Sequence, residues 1–376
     1  MEIALAQPQI DKIEIAPGMR VSRLAKGNWQ LADKHGAPID SSRAIDDMRA
    51  FVEAGITLFD CADHYLGVEA LIGEFRRRHP SLAAQLKIST KVVPDQESLA
   101  RVSREDITRI VDTSLLRLGV ERLDLAQFHW WDYAVPGYLD AMHWLKDLQA
   151  AGKIAHLGTT NFDTLRLAEI VGSGVRVATN QLQYSVLDCR PENGMVDFCE
   201  KHHISLLCYG VLAGGFLSER WLGAPDPSPP FANRSLVKYR LIIEDFGGWP
   251  AFQRLLKTLD AIAVRHQVNL SSVAIRYLLD RPAASVAIVG ARDASRLDAT
   301  LEVFGLALDD AERESIRRLT TQAPGPIGDC YSLEREPTGP HNAIMWKNQN
   351  QHGVPADADA AYSPPSYVPS ARVRPS

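Results

Sequence analysis

Short apolar runs alternate with amphipathic stretches of helical period along most of the chain. The spacing predicts eight strand-then-helix units. The runs are Arg23 to Gly27, Ile56 to Phe59, Leu86 to Lys91, Leu123 to His129, Ile154 to Thr159, Val177 to Gln183, Ile204 to Tyr209 and Val286 to Val289. Continuous rather than alternating apolarity is the mark of strands buried on both faces, as in a parallel sheet. Between them, Ile45, Met48, Phe51 and Val52 fall on one face of a helix from Ser42 to Ala54, with Ser41 or Ser42 as its cap and Gly55 as its stop. Leu71, Ile72 and Phe75 do the same for the next helix. Ile107, Ile110, Val111, Leu115 and Leu118 mark Ser103 to Leu118, which Gly119 ends. Further helices are expected over Tyr138 to Ala151, up to Gly172, and over Met195 to Lys201. Ahead of the first unit, Ile13 to Ile15 and Met19 to Val21 flank Pro17-Gly18 and read as a hairpin.

This order predicts an α/β fold, a (β/α)8 TIM barrel with an N-terminal β-hairpin, a long loop after strand seven and a C-terminal arm. A doubly wound sheet fits less well. Its glycine-rich turn should follow the first strand, and the one approximate match, Gly172-Ser173-Gly174, comes after a helix. The expected divisions are a barrel over 1–319, an ordered arm over 320–347 beside the substrate pocket, and a tail over 348–376 without apolar period, read as disordered. The insertion Leu217 to Pro250, rich in proline and ending in Gly247-Gly248-Trp249-Pro250, leaves from the end of strand seven and is expected to act as a lid.

Polar chemistry gathers where the strands end. Asp60, Asp63, His64 and Tyr65 follow Phe59, Lys91 closes the third strand and His129 the fourth. In a barrel these ends share one face, the face that carries active sites. Each residue alone also has a structural reading: a cap for Asp60, a strand-end cation reaching solvent for Lys91, a satisfied core imidazole for His129.

Asp60-Cys61-Ala62-Asp63-His64-Tyr65, with Gly67, Glu69 and Gly73 following, resembles the Asp-x-Ala-x-x-Tyr signature of the aldo-keto reductases. The resemblance spans about Val21 to Leu319. It implies a catalytic tetrad of Asp60, Tyr65, Lys91 and His129, in which Tyr65 is the general acid/base of hydride transfer between a nicotinamide and a carbonyl. A phenol with a pKa of about 10 is a reluctant donor near neutrality. Lys91 is therefore expected to lower it, Asp60 to hold Lys91 charged, and His129 to donate a hydrogen bond to the substrate carbonyl. The resemblance also implies NADPH or NADP+, with NAD possible. The implied nicotinamide-end contacts are Gly27, Asn28, Asp60, Thr160, Asn161, Gln181 and Tyr209. Gly210, Leu212 and Gly214 are implied at the pyrophosphate, and Gly290, Arg292, Arg296 and Thr300 at the adenosine phosphate. There, two guanidinium groups at a helix start would suit a 2′-phosphate. Trp29, Tyr65, His129 and Trp130 are expected to bind substrate, though Trp130-Trp131, Trp29 and Trp249 equally suit packing.

Composition narrows what remains. Hydrophobic residues at 45% and charged residues at 23% are those of a globular chain with a sizeable core, and a net charge of −5 without a basic stripe argues against nucleic acid. Cys199, His202, His203 and Cys208 match no zinc spacing, so no metal is expected. The five unpatterned cysteines, the lack of a signal sequence and the absence of any run near 20 apolar residues place the chain in the cytoplasm, away from membranes. The expected partner is a small carbonyl or alcohol, and the expected state a monomer or small homo-oligomer. The alternative is a non-catalytic or slow cofactor-sensing regulatory subunit of the same fold.

Overall fold

The structure, a computed structural model, describes residues 9–33, 35, 38–345 and 347–348. The tail from 349 onward, read as disordered, lies outside the described residues. Strands β1 (Lys12–Ala16) and β2 (Met19–Ser22) form the expected antiparallel hairpin. Eight parallel strands follow: β3 (Leu24–Gly27), β4 (Leu58–Asp60), β5 (Lys87–Val92), β6 (Leu123–Phe128), β7 (Ile154–Thr160), β8 (Thr179–Gln183), β9 (Ser205–Tyr209) and β10 (Ala284–Gly290). Each pairs with the next, and β10 pairs with β3 to close a barrel. Most of their residues are buried, as continuous apolar runs require.

The helices α1 (Ser41–Glu53), α2 (Val68–Arg78), α3 (Pro80–Ala83), α4 (Arg104–Leu118), α5 (Tyr138–Ala150), α6 (Thr164–Gly172) and α7 (Met195–His202) alternate with the strands from β3 to β9. Their apolar stripes and the outer faces of the strands make the largest core cluster. A separate cluster fills the barrel interior, where Ile15, Met19 and Val21 of the hairpin pack on Ala25, Leu58, Leu125, Leu207 and Val286. The hairpin therefore plugs one mouth and leaves the strands' carboxyl ends as the open face.

Three local expectations are revised. The cap of α1 is Asp40, not Ser41 or Ser42, because its carboxylate accepts from the Ser42 and Arg43 amides that follow it. The segment after β9 is long but largely helical. It runs into α8 (Arg234–Phe246) and α9 (Gly248–His266), whose Ile242, Ile243, Phe246, Trp249 and Phe252 build a second core with α10 (Leu270–Leu279). After β10 come α11 (Leu297–Leu301) and α12 (Asp310–Gln322), the latter running past the expected barrel boundary at Leu319.

The arm beyond α12 is ordered through α13 (Ser332–Arg335) and α14 (Pro340–Ala343) and lies on the open face. A buried charge cluster holds it. Glu334 of α13 accepts from Arg190 Nη1 at 2.9 Å and lies 3.3 Å from Lys238 of α8, while Arg190 also pairs with Asp188 at 2.7 Å. Burial alone would raise the Glu334 carboxyl, but Arg190 and Lys238 hold it well below the ordinary carboxylate range. Arg190 and Glu334 are each 1% exposed, so removing one charge strands the others away from water. Glu334→Gln should cost about 3–5 kcal/mol at this cluster and loosen the arm. Chemical denaturation and limited proteolysis check this, and an unchanged midpoint with an unchanged cleavage pattern would show that the cluster does not hold the arm.

Candidate active site

Four residues far apart in sequence meet on the open face because β4, β5 and β6 are adjacent parallel strands in register, Asp60 beside Ser89 and Lys91 beside Gln127. Asp60 ends β4, Lys91 lies near the end of β5 and His129 follows β6 directly. Lys91 Nζ donates to both Asp60 oxygens at 2.9 Å and to Cys61 O at 2.8 Å. Asp60 Oδ1 also accepts from Gln181 Nε2 on β8 at 2.6 Å, a bond across the barrel. Burial by itself would lower the Lys91 ammonium, but Asp60 and Tyr65 together hold it above its ordinary value.

Tyr65 stands in the loop between β4 and α2, with its ring centroid 5.0 Å from Lys91 Nζ and 4.8 Å from the Trp29 ring. Its hydroxyl does not behave as the sequence suggested. Burial outweighs the pull of Lys91, and the phenol is pushed up to about 12 instead of down. The cation limits the rise without reversing it.

His129 is held by its Nδ1, 3.0 Å from Thr160 O. A carbonyl oxygen only accepts, so Nδ1 carries the proton. Burial first, and then the Arg335 guanidinium, keep the ring well below its ordinary pKa and therefore neutral. Its Nε2, expected at a substrate carbonyl, is buried and without a hydrogen-bond partner among the described residues. Trp131 stands edge-on to it at 4.4 Å and Tyr331 of the arm at 5.6 Å. Trp130, expected at the substrate, is a core residue: its ring packs on Phe128 and against Gly137, and its Nε1 donates to Val135 O. Trp249 likewise belongs to the second core, on Phe252 and Trp221.

The residues read as cofactor contacts lie in a connected arc. Asn161 takes positive φ, 62°, and accepts from Tyr209 Oη at 2.8 Å. Thr160 and Gln181 are buried at the ends of the adjacent strands β7 and β8, with Asn161 directly after Thr160, and their hydroxyl and amide groups are of the kinds that pair with a carboxamide. Asn28 differs: its amide is committed to Lys26 Nζ and to the Lys26 and Asp60 carbonyls. Gly210 and Gly214 take positive φ, and a Cβ on Gly210 would lie 2.6 Å from Tyr239 Oη, so α8 lies directly over this segment, with Leu212 between the two glycines. Gly290 is likewise bare because Gln30 fills the space a side chain would need. The loop beyond carries Arg292, which donates to Pro38 O, and Arg296, exposed and without an ion-pair partner among the described residues. The helix expected here, α11, has only five residues, and Thr300 Oγ1 donates back to Arg296 O. Charge at this loop therefore rests on the guanidinium groups more than on a helix dipole.

Two features escaped the sequence reading. Arg335 of the arm donates to Asn161 O and Trp130 O at 2.8 Å each and lies 4.0 Å from the Tyr133 ring centroid, tying the arm to the site. Lys26 on β3 is 1% exposed, between the Phe51 and Phe59 rings, and its Nζ donates to Asn28 Oδ1 at 2.7 Å and Ala291 O at 3.1 Å. The only hint was a lysine within an apolar run. Burial lowers it to about 7, partly opposed by Asp47 and Asp293.

The model described as Aldo/keto reductase family matches residues 23–321. The aldo-keto reductase YhdN of Bacillus subtilis is 27% identical over 321 residues, 83% of this chain and 94% of that protein. The NADH-specific methylglyoxal reductase of Escherichia coli is 23% identical over 329 residues, 80% and 94% respectively. The solved structure of a glycerol dehydrogenase from Gluconobacter oxydans superimposes with a TM-score of 0.69 at 24% identity, over 86% of this chain and 98% of that one, which speaks to the fold.

Lys26 gives a stability signature. Its folded value of about 7 lies below the ordinary 10.5, so the unfolded chain binds more protons between these values, and stability should rise with pH from about 7 to 10.5. The slope is at most about 1.4 kcal/mol per pH unit. In Lys26→Met that rise should flatten, read from denaturation midpoints across this window. An identical pH dependence in the variant would contradict the assignment.

Proposed function

The chain belongs to the aldo/keto reductase family, an oxidoreductase of carbonyl groups that works with a nicotinamide cofactor, and from that premise we propose that it reduces an aldehyde or ketone to an alcohol with NADPH, Tyr65 serving as the acid. The observation that carries this reading is the buried Asp60–Lys91 pair with the Tyr65 ring 5.0 Å from its ammonium. A nicotinamide held there would supply the hydride. Tyr65 supplies the proton that the substrate oxygen gains, and Lys91 stabilises the phenolate left behind. Asp60 and Gln181 fix the lysine's position, while Trp29, Trp131 and Tyr331 shield the reacting groups from water.

Tyr65 is held ready to donate a proton. With the phenol pushed up to about 12, its acid form prevails throughout the neutral range. The acid form is the one reduction requires, whereas alcohol oxidation needs the phenolate as base. Thr160, Asn161 and Gln181 would hold the carboxamide, Tyr209 would stack on the ring, and the segment of Gly210, Leu212 and Gly214 under α8 would take the pyrophosphate. Arg296 and Arg292 favour NADP(H) over NAD(H), with Thr300 beside them. Asn28 then contributes by positioning the Asp60 carbonyl. The arm from 320 to 347 forms a wall of the substrate pocket through Tyr331. No helix among the described residues is long and apolar enough to cross a membrane, and all five cysteines are unpaired, which suits a reducing cytoplasm.

Tyr65→Phe should keep cofactor affinity and lower carbonyl reduction by several orders of magnitude, measured as NADPH oxidation with a panel of aldehydes, ketones and sugars. Near-normal turnover in that variant would remove Tyr65 from the chemistry. Failure of the unaltered protein to turn over any of the panel, with NADPH still bound, would favour the cofactor-sensing alternative.

The cofactor preference has its own test. Loss of a charge-assisted contact in Arg296→Ala should weaken NADPH binding by about 1.5–3 kcal/mol, roughly tenfold to a hundredfold, and leave NADH nearly unchanged. Fluorescence titration of both cofactors reads this. Equal losses would show that Arg296 does not contact the 2′-phosphate.

A further inference from the structure

We propose that Lys26, which lies outside the tetrad and out of a cofactor's reach, is a positioning residue for the cofactor's phosphate end. Its buried amine fastens the loop from Ala291 to Arg296 to the strand ends that present Asn28 and Asp60, and through that loop it adds to the preference for NADPH over NADH. The inference rests on the proposed seat of the 2′-phosphate at Arg292 and Arg296.

The strand pattern gives no packing reason for a lysine here. Ala25 belongs to the cluster inside the barrel, so its neighbour Lys26 points outward, between the Phe51 ring of α1 and the Phe59 ring of β4. Leucine or methionine would fill that slot, whereas an amine only 1% exposed loses its hydration. What the amine gains is two carbonyl oxygens, Asn28 Oδ1 at 2.7 Å and Ala291 O at 3.1 Å. The first belongs to a side chain whose own amide donates to Asp60 O at 2.9 Å. The second opens the loop that carries both arginines. One buried group thus joins the backbone of Asp60, through Asn28, to the backbone of the phosphate loop.

The rest of the loop is tied to the same side of the barrel. Ala291 N donates to Gly27 O at 3.2 Å, Ala294 N to Asp47 Oδ1 at 3.0 Å and Arg292 Nη2 to Pro38 O at 3.0 Å. Arg296 has no ion-pair partner among the described residues, so its place follows from the loop's backbone and from the donors that hold it. Charge links the amine to the same loop. The charged groups around it are Asp47 of α1 and Asp293 of the loop, with Arg43 and Arg292 acting on Asp293.

The amine, brought down to about 7 by burial, is only partly protonated at neutral pH. A 2′-phosphate seated on the loop adds negative charge beside it and favours the ammonium. NADPH binding then takes up part of a proton, and NADH binding, which brings no phosphate there, does not. The amine's value is lower in the free protein than in the NADPH complex, so affinity for NADPH is full below about 7 and weakens as pH rises above it. Ionisation of the phosphate itself, at about pH 6, acts in the opposite direction.

The test measures dissociation constants of NADPH and NADH by fluorescence titration at pH 7 and pH 9 in the unaltered protein, in Lys26→Met and in Arg296→Ala. Methionine fits the slot and removes a buried charge. The preference for NADPH in the unaltered protein should fall by about threefold to tenfold between the two pH values. In Lys26→Met it should be lower by about fivefold or more at pH 7 and no longer change with pH. An unchanged preference in Lys26→Met overturns the inference, and so does a loss of affinity by the same factor for both cofactors, which is what a merely structural role would give. Calorimetry of the unaltered protein in two buffers of different ionisation enthalpy needs no variant: proton uptake with NADPH and none with NADH is expected, and equal uptake with both overturns the inference. Arg296→Ala separates this from the reading beneath it. Preference lost there but kept in Lys26→Met overturns the role of Lys26 and leaves the 2′-phosphate seat standing, whereas preference kept there but lost in Lys26→Met moves the seat off Arg296 and still supports Lys26.

Discussion

The buried pair of Asp60 and Lys91 is the constraint to which the rest of the site conforms. Taking two charges out of water costs several kcal/mol for each ion, and attraction repays this only when geometry and further hydrogen bonds are good. Here the ammonium makes three contacts of 2.8–2.9 Å and the carboxylate takes a further 2.6 Å bond from Gln181. Those partners come from β4, β5 and β8, so the pair is satisfied only when the barrel is closed and in register. Tyr65 and the loop that bears it are then placed against a cation that cannot move away.

Burial, more than charge, sets the chemistry of this face. Tyr65 is raised in spite of Lys91 and His129 is lowered in spite of its bond to Thr160, both because water is excluded. The neutral, protonated phenol and the neutral imidazole are two consequences of one dry pocket. The arm contributes to that dryness. Tyr331 packs on His129, Arg335 bonds the backbone beside Thr160, and Glu334 anchors both through Arg190 and Lys238. Lys238 also lies 5.2 Å from the Tyr209 ring centroid, so the arm, α8 and the residue proposed to stack on the nicotinamide share one cluster.

Much of the fold was legible because it depends on local pattern. Apolar runs such as Leu123 to Phe128 and the stripe Ile107, Val111, Leu118 each specify an element without reference to anything distant, and the order of elements then leaves few topologies. The hairpin could be read from two short runs and a turn dipeptide. Where the reading slipped, a neighbour one residue away or one domain layer away decided the outcome: Asp40 over Ser41 as the cap, and the packing of Ile242, Phe246 and Trp249 over the irregular loop suggested by the prolines before them.

The sequence by itself determined which groups stand at the strand ends, Asp60, Lys91 and His129, and that a barrel would collect them with Tyr65, because strand order and periodicity are properties of the chain. The tertiary structure alone decided what those groups are once collected. Whether Tyr65 rises or falls depends on the balance between exclusion of water and one cation 5.0 Å from its ring. Which nitrogen of His129 carries the proton depends on a carbonyl 31 positions away, at Thr160. That Lys26 is sealed from water between two phenylalanine rings depends on α1 and β4. These are sums over neighbours brought near by folding, and no local pattern in the chain encodes them.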